Sequence, residues 1–396
     1  MQKLIHAAVH NTSFEDAERE VAELAEVRVS AERIRRLTGK IGGERLEQRE
    51  KQMEAFAKLP IPERRVSPIL PAPQVACVQM DGGRVQYRER NQPRPASREK
   101  FWREVKVGDL RTFLSEISEV DPSPIIPEVF LSRRRMEKIV REIKGFSATR
   151  EGLPEYQERE QLAEELLEQT QAEKRKKPQP LVLSVVATRQ DVHAFGPMLE
   201  AAAYERGFHA AERKAFVADG AEANWTVWRK YFSHYTPILD FVHAISYVYA
   251  AAHAGRTAEE GWTCYARWAH WVWEGKVVCV IEELQEQQTA LGKPLDGDAE
   301  NSPRQQAATT LGYLRNQQER MRYDEYRRQG LPTTSSYVES TVKRLHRRVK
   351  GTEKFWSQGL EAMLILAGDY LSETTHPQKF WDLRRPTAIR CYQTAS

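Results

Sequence analysis

The amino-acid sequence predicts an α/β fold, in which a mixed β-sheet is flanked by helices, and three observations carry this prediction. Residues 181–188, "LVLSVVAT", form a continuous apolar run of the kind found in buried central strands. Two more short apolar runs, 214–219 and 236–241, alternate with segments of helical periodicity, which is typical of strand–helix–strand units with parallel strands. From residue 75, "VACVQMDGGRVQYRER" places Gly-Gly between two strand-like runs, which predicts an antiparallel hairpin.

Amino-acid composition and hydrophobic periodicity divide the chain into five regions. These are a helical N-terminal region (1–58), a Pro-rich linker (59–73), the α/β core (74–254), an all-helical insertion (255–325) and a C-terminal part of the core (326–396). Within the core, residues 131–180 are highly charged and are predicted to form a helical arm. The C-terminal part opens with an amphipathic helix whose apolar stripe is Val338, Val342, Leu345 and Val349.

The N-terminal region has two interpretations. Ser30 is a candidate N-cap, and apolar residues then recur at helical spacing at Ile34, Leu37 and Ile41. Two helices joined by a short break fit a helix-turn-helix that reads DNA, and they also fit an ordinary helical hairpin. The stretch by itself favours the hairpin.

Composition excludes several classes of protein. The chain has 396 residues, of which 40% are apolar and 29% are charged, so it is long enough for two or three domains. Its apolar runs fall short of the roughly 18 residues that cross a bilayer, and its polar N-terminus does not resemble a secretory signal, so we expect a cytoplasmic protein. The four cysteines are scattered without a CxxC pair, which argues against a zinc site or a disulfide framework.

Three acidic residues stand out from their sequence context. In "RKAFVADGAEANWTVW", an apolar strand stops at Asp219, where a carboxylate would either cap the next helix or hold a metal ion at the edge of a sheet. Asp81 ends the first strand of the predicted hairpin. Glu339 lies beside the apolar stripe of its helix, on a face that it shares with Lys343 and His346. Adjacent strands would bring both aspartates to one sheet edge, and a helix across that edge would add the glutamate.

Three carboxylates around one point repel one another unless a cation lies between them. Oxygen ligands with open positions suit Mg²⁺ or Mn²⁺, and two such ions about 4 Å apart promote phosphodiester chemistry. A basic cluster follows the glutamate on the same helix. We expect it to contact DNA phosphates, and a solvated face is the alternative. Its members are Lys343, Arg344, Arg347, Arg348 and Lys350.

Four motifs support a more specific prediction. The stretches "VQMDGGRV", "FVADGAEANWTVW", "YTPILDFVHAISYVYAAA" and "YVESTVKRLHRRVKGTEKFWS" resemble the motif blocks of bacterial insertion-sequence transposases of the Asp-Asp-Glu type. The resemblance covers roughly residues 75–395. It implies an RNase H-like catalytic core in which Asp81, Asp219 and Glu339 form the catalytic, metal-binding triad. It also implies that His243 lines the active site and contacts the scissile phosphate.

The resemblance has further implications for cofactors and partners. It implies two Mg²⁺ or Mn²⁺ ions, cleavage and joining of DNA at the ends of an insertion element, and a homodimer or larger assembly that holds those ends. The location would be the bacterial cytoplasm, with association to the nucleoid when the protein is bound to DNA. In the family an all-helical insertion commonly precedes the glutamate, and residues 255–325 match it.

The sequence also departs from the family. Relatives usually carry a longer N-terminal region with a Cys-rich zinc module, whereas the first cysteine here is Cys77, and the arm at 131–180 is long for the family. Three alternatives therefore stay open. One is a shortened, inactive DNA-binding remnant, the second is another RNase H-like nuclease such as a junction resolvase, and the third is a helical scaffold without a DNA role.

Overall fold

The structure is a computed structural model of the 396-residue chain. It describes residues 1–69, 71–88, 102–144, 177–350, 355–374 and 376–384. Most of the predicted charged arm, residues 145–176, lies outside the described residues. Within the described part of the chain, no helix combines the length and the apolar character that crossing a membrane requires.

A mixed β-sheet lies at the centre of the fold, as the sequence predicts. Its strands are β1 (Val75–Arg88), β2 (Trp102–Leu114), β3 (Gln179–Thr188), β4 (Arg213–Ala218), β5 (Thr236–Leu239) and β6 (Phe355–Trp356). The spatial order is β3-β2-β1-β4-β5, and β6 pairs with the far end of β1. Strands β1, β2 and β3 pair antiparallel, whereas β4 and β5 continue from β1 as parallel strands.

Helices flank the sheet and form the rest of the structure. In the N-terminal half they are α1 (Gln2–His10), α2 (Phe14–Leu24), α3 (Ala31–Lys58), α4 (Arg133–Lys144), α5 (Val192–Glu205) and α6 (Glu222–Tyr231). In the C-terminal half they are α7 (Phe241–His253), α8 (Ala258–Trp273), α9 (Val277–Leu291), α10 (Pro303–Gln317), α11 (Tyr323–Arg328), α12 (Ser336–Val349), α13 (Ser357–Leu371) and α14 (His376–Arg384). The described residues thus form an α/β fold with a mixed sheet.

The Gly-Gly pair lies inside a strand, so the hairpin turn predicted at this point is wrong. Strand β1 runs without a break through Gly82 and Gly83, and both residues pair with β2. A side chain on Gly83 would clash with the imidazole of His346, and one on Gly82 would clash with the carboxylate of Glu104. The glycines therefore permit close packing on the strand, which is a common reason for glycine inside a strand.

The N-terminal helices belong to the body of the fold. Helices α1, α2 and α3 share a buried apolar cluster with α12, α13 and the far half of β1. Arg45 of α3 makes two hydrogen bonds, of 2.7 and 2.9 Å, to the carboxylate of Asp369 in α13. Arg49 pairs with Glu361 of the same helix at 2.9 Å. Ser30 caps α3 as predicted, while the proposal that this region reads DNA stays a prediction.

The segment before the glutamate is helical, as predicted. Helix α8 begins with a capping box in which the side chains of Thr257 and Glu260 each bond the other residue's backbone N–H. Helices α8, α9 and α10 pack on one another and contribute to the same apolar cluster as strands β1, β4 and β5. Helices α8 and α10 also contact α7, the helix that follows β5. The insertion therefore packs directly against the core.

Two adjacent glycines in α3 provide a test of how α3 packs on α13. A methyl group on Gly42 would clash with Ala362 of α13, whereas one on Gly43 would meet no atom within 4 Å. We expect Gly42→Ala to lower the free energy of unfolding by about 1–3 kcal/mol through overpacking. We expect Gly43→Ala to raise it by up to about 1 kcal/mol through helix propensity. Urea unfolding measures both, and equal effects would contradict the packing of α3 on α13.

Candidate metal and nucleic-acid site

Three aspartates stand side by side across the parallel strands β1, β4 and β5. Asp219 and Asp240 each directly follow the last paired residue of β4 and of β5. The register between β1 and β4 brings Asp81 level with Asp219, because each lies two residues beyond the last paired position. Asp81 lies within β1 and not at its end, where the hairpin prediction places it. We call these three residues the acidic row.

Helix α12 lies against the sheet beside the acidic row and carries Glu339. The buried side chain of Gln79 in β1 donates through Nε2 to the carbonyl of Thr334 at 2.8 Å, and its Oε1 accepts from the N–H of Val338 at 3.2 Å. Further along α12, His346 packs on Gly83 of β1. These contacts hold the first turns of α12 over β1 and so bring Glu339 to the acidic row.

A buried carboxylate in β2 anchors the middle of the same helix. Asp109 is fully buried and accepts a 2.8 Å hydrogen bond from the hydroxyl of Thr341. It also pairs with Arg111 at 3.0 Å. The guanidinium of Arg111 lies 4.7 Å from the ring centroid of Tyr337, at the start of α12. Helix α12 is therefore attached to both β1 and β2.

The structure gathers the predicted site residues, but the closest group differs from the predicted triad. Ligand atoms of Asp240, His243 and Glu339 all lie within 4.8 Å of one another. Asp81 and Asp219 complete the acidic row beside this group. The predicted triad omits Asp240, although "TPILDF" repeats the pattern of an apolar run that ends on aspartate.

Asp240 is fully buried, and hydrogen bonds occupy its carboxylate. Its Oδ1 accepts from the N–H groups of Val242 at 3.3 Å and Ser335 at 3.0 Å. Its Oδ2 accepts from the N–H of His243 at 3.2 Å and from Nδ1 of the same residue at 2.6 Å. Burial raises the pKa of Asp240, but the hydrogen bond and charge of His243 outweigh this and lower it. Since a carboxylate offers about four lone-pair sites, Asp240 positions its neighbours and is a poor metal ligand.

His243 is held as a cation within this group. Its Nδ1 donates to Asp240, so Nε2 is the ring nitrogen that remains for a ligand. Burial opposes protonation, but the hydrogen bond and charge of Asp240, together with the charges of Asp219 and Glu339, raise the pKa of His243 to about 9. The imidazole therefore carries a positive charge at neutral pH and offsets part of the negative charge around it.

The carboxylates of Asp81 and Glu339 are repelled by the other acidic groups of the site. Burial raises the pKa of Asp81, and the charges of the two other aspartates in the row add to this effect. Burial also raises the pKa of Glu339, and nearby aspartates again add to it, against the positive charges of His243 and Lys343. Ionisation of both groups is therefore less favourable in the folded protein than in water, and a cation at the row would offset this effect.

Asp219 is held by α6 and by the helical insertion. Its Oδ1 accepts from the N–H of Ala221 at 2.9 Å and from Nδ2 of Asn224 at 2.7 Å. The hydroxyl of Tyr313 in α10 donates to the main-chain carbonyl of Asp219 at 2.9 Å, and Gln317 bonds the next carbonyl at 3.2 Å. Asp219 is therefore not the N-cap of α6, which is Ala221 without a side-chain cap, so the capping interpretation is wrong. Both hydrogen bonds to the side chain of Asp219 fall on one oxygen.

Gly220 allows the insertion to approach. Its φ is 93°, a left-handed conformation that favours glycine. A Cβ at this position would lie 2.8 Å from the hydroxyl of Tyr313. The ring of Tyr313 stacks on Tyr247 of α7 with centroids 3.8 Å apart. The end of β4 is therefore packed between α7 and the insertion.

Most of the predicted basic cluster is exposed beside this site. The exposed members, which we call the basic surface, are Lys343, Arg344, Arg347 and Lys350. They lie on α12 and at its C-terminal end, after Glu339. The Nζ of Lys350 is 5.8 Å from the ring centroid of Trp102, which is 37% exposed. A polyanion at the acidic row would meet this surface next.

The prediction that Arg348 contacts a DNA phosphate is wrong. The side chain of Arg348 is buried, with a residue exposure of 3%. Its Nε donates to the carbonyl of Ala8 at 2.7 Å, and its guanidinium lies 4.5 Å from the ring centroid of Phe14. Arg348 therefore attaches the N-terminal helices to α12. The burial results from α1 and α2, which local sequence around the arginine does not reveal.

The carboxylate oxygens that are left after Asp240 is set aside are suitable ligands for a hard divalent cation. Among the described residues, the side chains of Asp81 and Asp219 accept hydrogen bonds only at Oδ1, so Oδ2 of each is available to a ligand. Glu339 adds a third partly buried carboxylate at the same edge. All three supply oxygen ligands of the type that Mg²⁺ and Mn²⁺ prefer. These are the residues suited to hold such an ion, with Asp240 and His243 as their support.

Ion-dependent stability tests this arrangement. We expect Mg²⁺ or Mn²⁺ to raise the melting temperature of the wild type, with a stabilisation of about 2.7 kcal/mol when the ion is at a hundred times its Kd. Asp81→Asn and Glu339→Gln should lose most of this increase. Without the ion, both variants should be at least as stable as the wild type, because each loses a repelled charge.

The matched control is Glu222→Gln. Glu222 is an exposed acid three residues after Asp219, and it pairs with Arg229 on the surface of α6. This variant should keep the full response to the ion in the same thermal unfolding experiment. An equal response in Asp81→Asn would show that the acidic row does not bind the ion.

Comparison with other proteins assigns no family to this chain. A scan against protein-family models found no match, and a search of curated proteins found no significant match. A function for the site therefore rests on its own residues, their geometry and the motifs that contain them.

Proposed function

We propose that this protein is a DNA transposase of the Asp-Asp-Glu type with an RNase H-like catalytic core. The observation that carries the proposal is the acidic row, joined by Glu339 at the edge where the parallel strands end. The strand order β3-β2-β1-β4-β5 is compatible with such a core. The resemblance of the four sequence motifs supports transposition as the biological reaction.

The reaction is phosphodiester cleavage followed by transfer. In the first step a water oxygen attacks phosphorus at the end of the element, and the bond to the 3′-oxygen breaks to leave a 3′-hydroxyl. In the second step this hydroxyl attacks a phosphodiester of target DNA and displaces a 3′-hydroxyl of the target. Divalent cations, when bound, would supply positive charge and lower the pKa of the attacking hydroxyl. Asp81, Asp219 and Glu339 are the residues that would hold them.

His243 and Asp240 have a separate role in this proposal. The Nε2–H of a charged His243 can donate to a non-bridging oxygen of the scissile phosphate, where negative charge increases during attack. Asp240 keeps the ring protonated and oriented through the 2.6 Å bond to Nδ1. Since Asp240 also accepts the N–H of Ser335, it links the ring to the segment that leads into α12.

DNA is the proposed partner, and a homodimer or larger assembly would hold the two ends of an element. The basic surface on α12 lies next to the acidic row and is suited to the phosphates that flank the scissile bond. Contacts of this kind give affinity that depends on salt and not on base sequence. End recognition therefore requires additional contacts that depend on base sequence.

Cleavage of DNA tests the proposed function directly. The substrate is a duplex with the sequences that flank the gene, and wild type is compared with Asp219→Asn and Glu222→Gln. We expect cleavage that requires Mg²⁺ or Mn²⁺ in the wild type and in Glu222→Gln. In Asp219→Asn cleavage should fall by at least about a thousandfold, because this carboxylate holds the reacting centre.

The products separate the alternatives. Joining of the new 3′-end to a second DNA supports a transposase, whereas cleavage without joining supports another RNase H-like nuclease. Tight DNA binding without cleavage by wild-type protein supports an inactive remnant. Cleavage at the wild-type rate by Asp219→Asn would contradict the assignment of the acidic row.

The basic surface is tested by the salt dependence of DNA binding. We expect the triple variant Lys343→Ala, Arg344→Ala, Arg347→Ala to bind more weakly at low salt. The slope of log K against log salt should fall by about 0.9 for each phosphate that the variant no longer neutralises, or roughly three in total. Fluorescence anisotropy over a salt series measures this slope.

Exposed cations on α3 supply the matched control. The control variant replaces Arg33, Arg36 and Lys40 with alanine, and all three are exposed. This triple should keep the wild-type slope if α12 provides the contacts near the scissile bond. A reduced slope in the α3 variant alone would move the DNA to the N-terminal helices and contradict the assignment of α12.

A further inference from the structure

Lys144 reaches the site from the charged arm, whose role the proposed function leaves open. It ends α4, which packs along α7, the helix that begins after Asp240. The Nζ of Lys144 lies 3.5 Å from the ring centroid of Tyr247. Since Tyr247 follows His243 by four residues on α7, the two side chains lie on one face of that helix. Lys144 is therefore about one helical turn from the charged imidazole.

A stack of aromatic rings connects Lys144 with the acidic row. The ammonium lies over one face of Tyr247, and Tyr313 stacks on the other face with centroids 3.8 Å apart and planes 4° from parallel. The hydroxyl of Tyr313 bonds the main-chain carbonyl of Asp219 at 2.9 Å. Burial raises the pKa of Tyr247, and the charge of Asp219 adds to this effect. Lys144 therefore approaches the row from α7 and the insertion, whereas the basic surface approaches it from α12, which is attached to β1 and β2.

The ammonium of Lys144 is mostly buried, and no carboxylate among the described residues pairs with it. At the other end of α4, Arg133 pairs with Glu259. Burial lowers the pKa of Lys144 to about 8. A cation that has lost much of its water gains free energy when an anion binds to it, and within the described ranges the aromatic ring of Tyr247 is what the ammonium faces.

We propose that Lys144 contacts a DNA backbone phosphate next to the scissile bond, on the side of the acidic row opposite the basic surface. The inference rests on the proposed function and gives the anchored part of the arm a role in holding substrate. A DNA strand that crosses the row meets four carboxylates and one imidazolium, so electrostatic repulsion acts on its phosphates. Cations on both sides of the row hold such a strand in place, and Lys144 supplies the second side.

The test measures DNA binding and cleavage with the same flanking-end duplex. We expect Lys144→Ala to lower the salt slope of binding by about 0.9, which corresponds to one phosphate contact. Its cleavage rate at saturating DNA should fall about ten- to a hundredfold, because the variant lacks an ionic interaction next to the reacting phosphate. Lys144→Arg should retain the wild-type slope, since it keeps the charge.

Two further variants separate binding from packing. Lys144→Met keeps an unbranched side chain against Tyr247 without the charge, and its slope should fall as much as that of Lys144→Ala while it melts like the wild type. Lys138→Ala removes an exposed cation from the same helix and should change neither slope nor rate. If Lys144→Met matches Lys138→Ala in both measurements while wild type cleaves, the inference about Lys144 is overturned and the proposed function stands. If wild type neither binds nor cleaves DNA, the proposed function fails and this inference fails with it.

Discussion

Repulsion among carboxylates at one edge of the sheet determines which residues surround the candidate site. Three parallel strands place aspartates at the same level, and Glu339 joins them from α12. Neighbouring residues offset this negative charge with hydrogen-bond donors and with cations. Four N–H donors occupy Asp240, an imidazolium lies between Asp240 and Glu339, and Lys343 follows the glutamate by one turn. Such a cluster lowers stability unless a ligand offsets it, which is typical of functional sites.

The residues that position this charge come from distant parts of the chain. Gln79 attaches the start of α12 to β1, and Arg348 attaches its end to the N-terminal helices. Tyr313 attaches the insertion to the end of β4. The N-terminal region and the insertion are therefore part of the support of the site and not independent additions. A shift of either region would displace Glu339 or Asp219. Metal binding and phosphoryl transfer require carboxylates placed to within a fraction of an ångström, so such a displacement would weaken both.

Local sequence predicts much of this fold, and the failures have a common physical origin. The strands of the parallel half, the Ser30 cap and the apolar stripe of α12 are correct, because each follows from residue types and spacing within a short window. The glycine pair of β1 resembles a turn in sequence. The side chain that requires a glycine at position 83, the imidazole of His346, lies far along the chain. Arg348 resembles its exposed neighbours, and only the packing of α1 and α2 buries it. The support role of Asp240 likewise depends on Ser335, a contact that no local pattern contains.

X-ray diffraction from crystals soaked in Mn²⁺ shows without any enzymatic assay whether Asp81, Asp219 and Glu339 hold a divalent cation. Anomalous scattering locates Mn²⁺ without reference to any assumed reaction. We expect anomalous density within about 2.3 Å of oxygens from Asp81 and Asp219, with Glu339 as a further ligand or one water molecule away. His243 should keep its bond to Asp240. Ordered crystals with Mn²⁺ bound elsewhere and none at the row would contradict the account, since the charge would then be balanced by His243 and the neighbouring lysines alone.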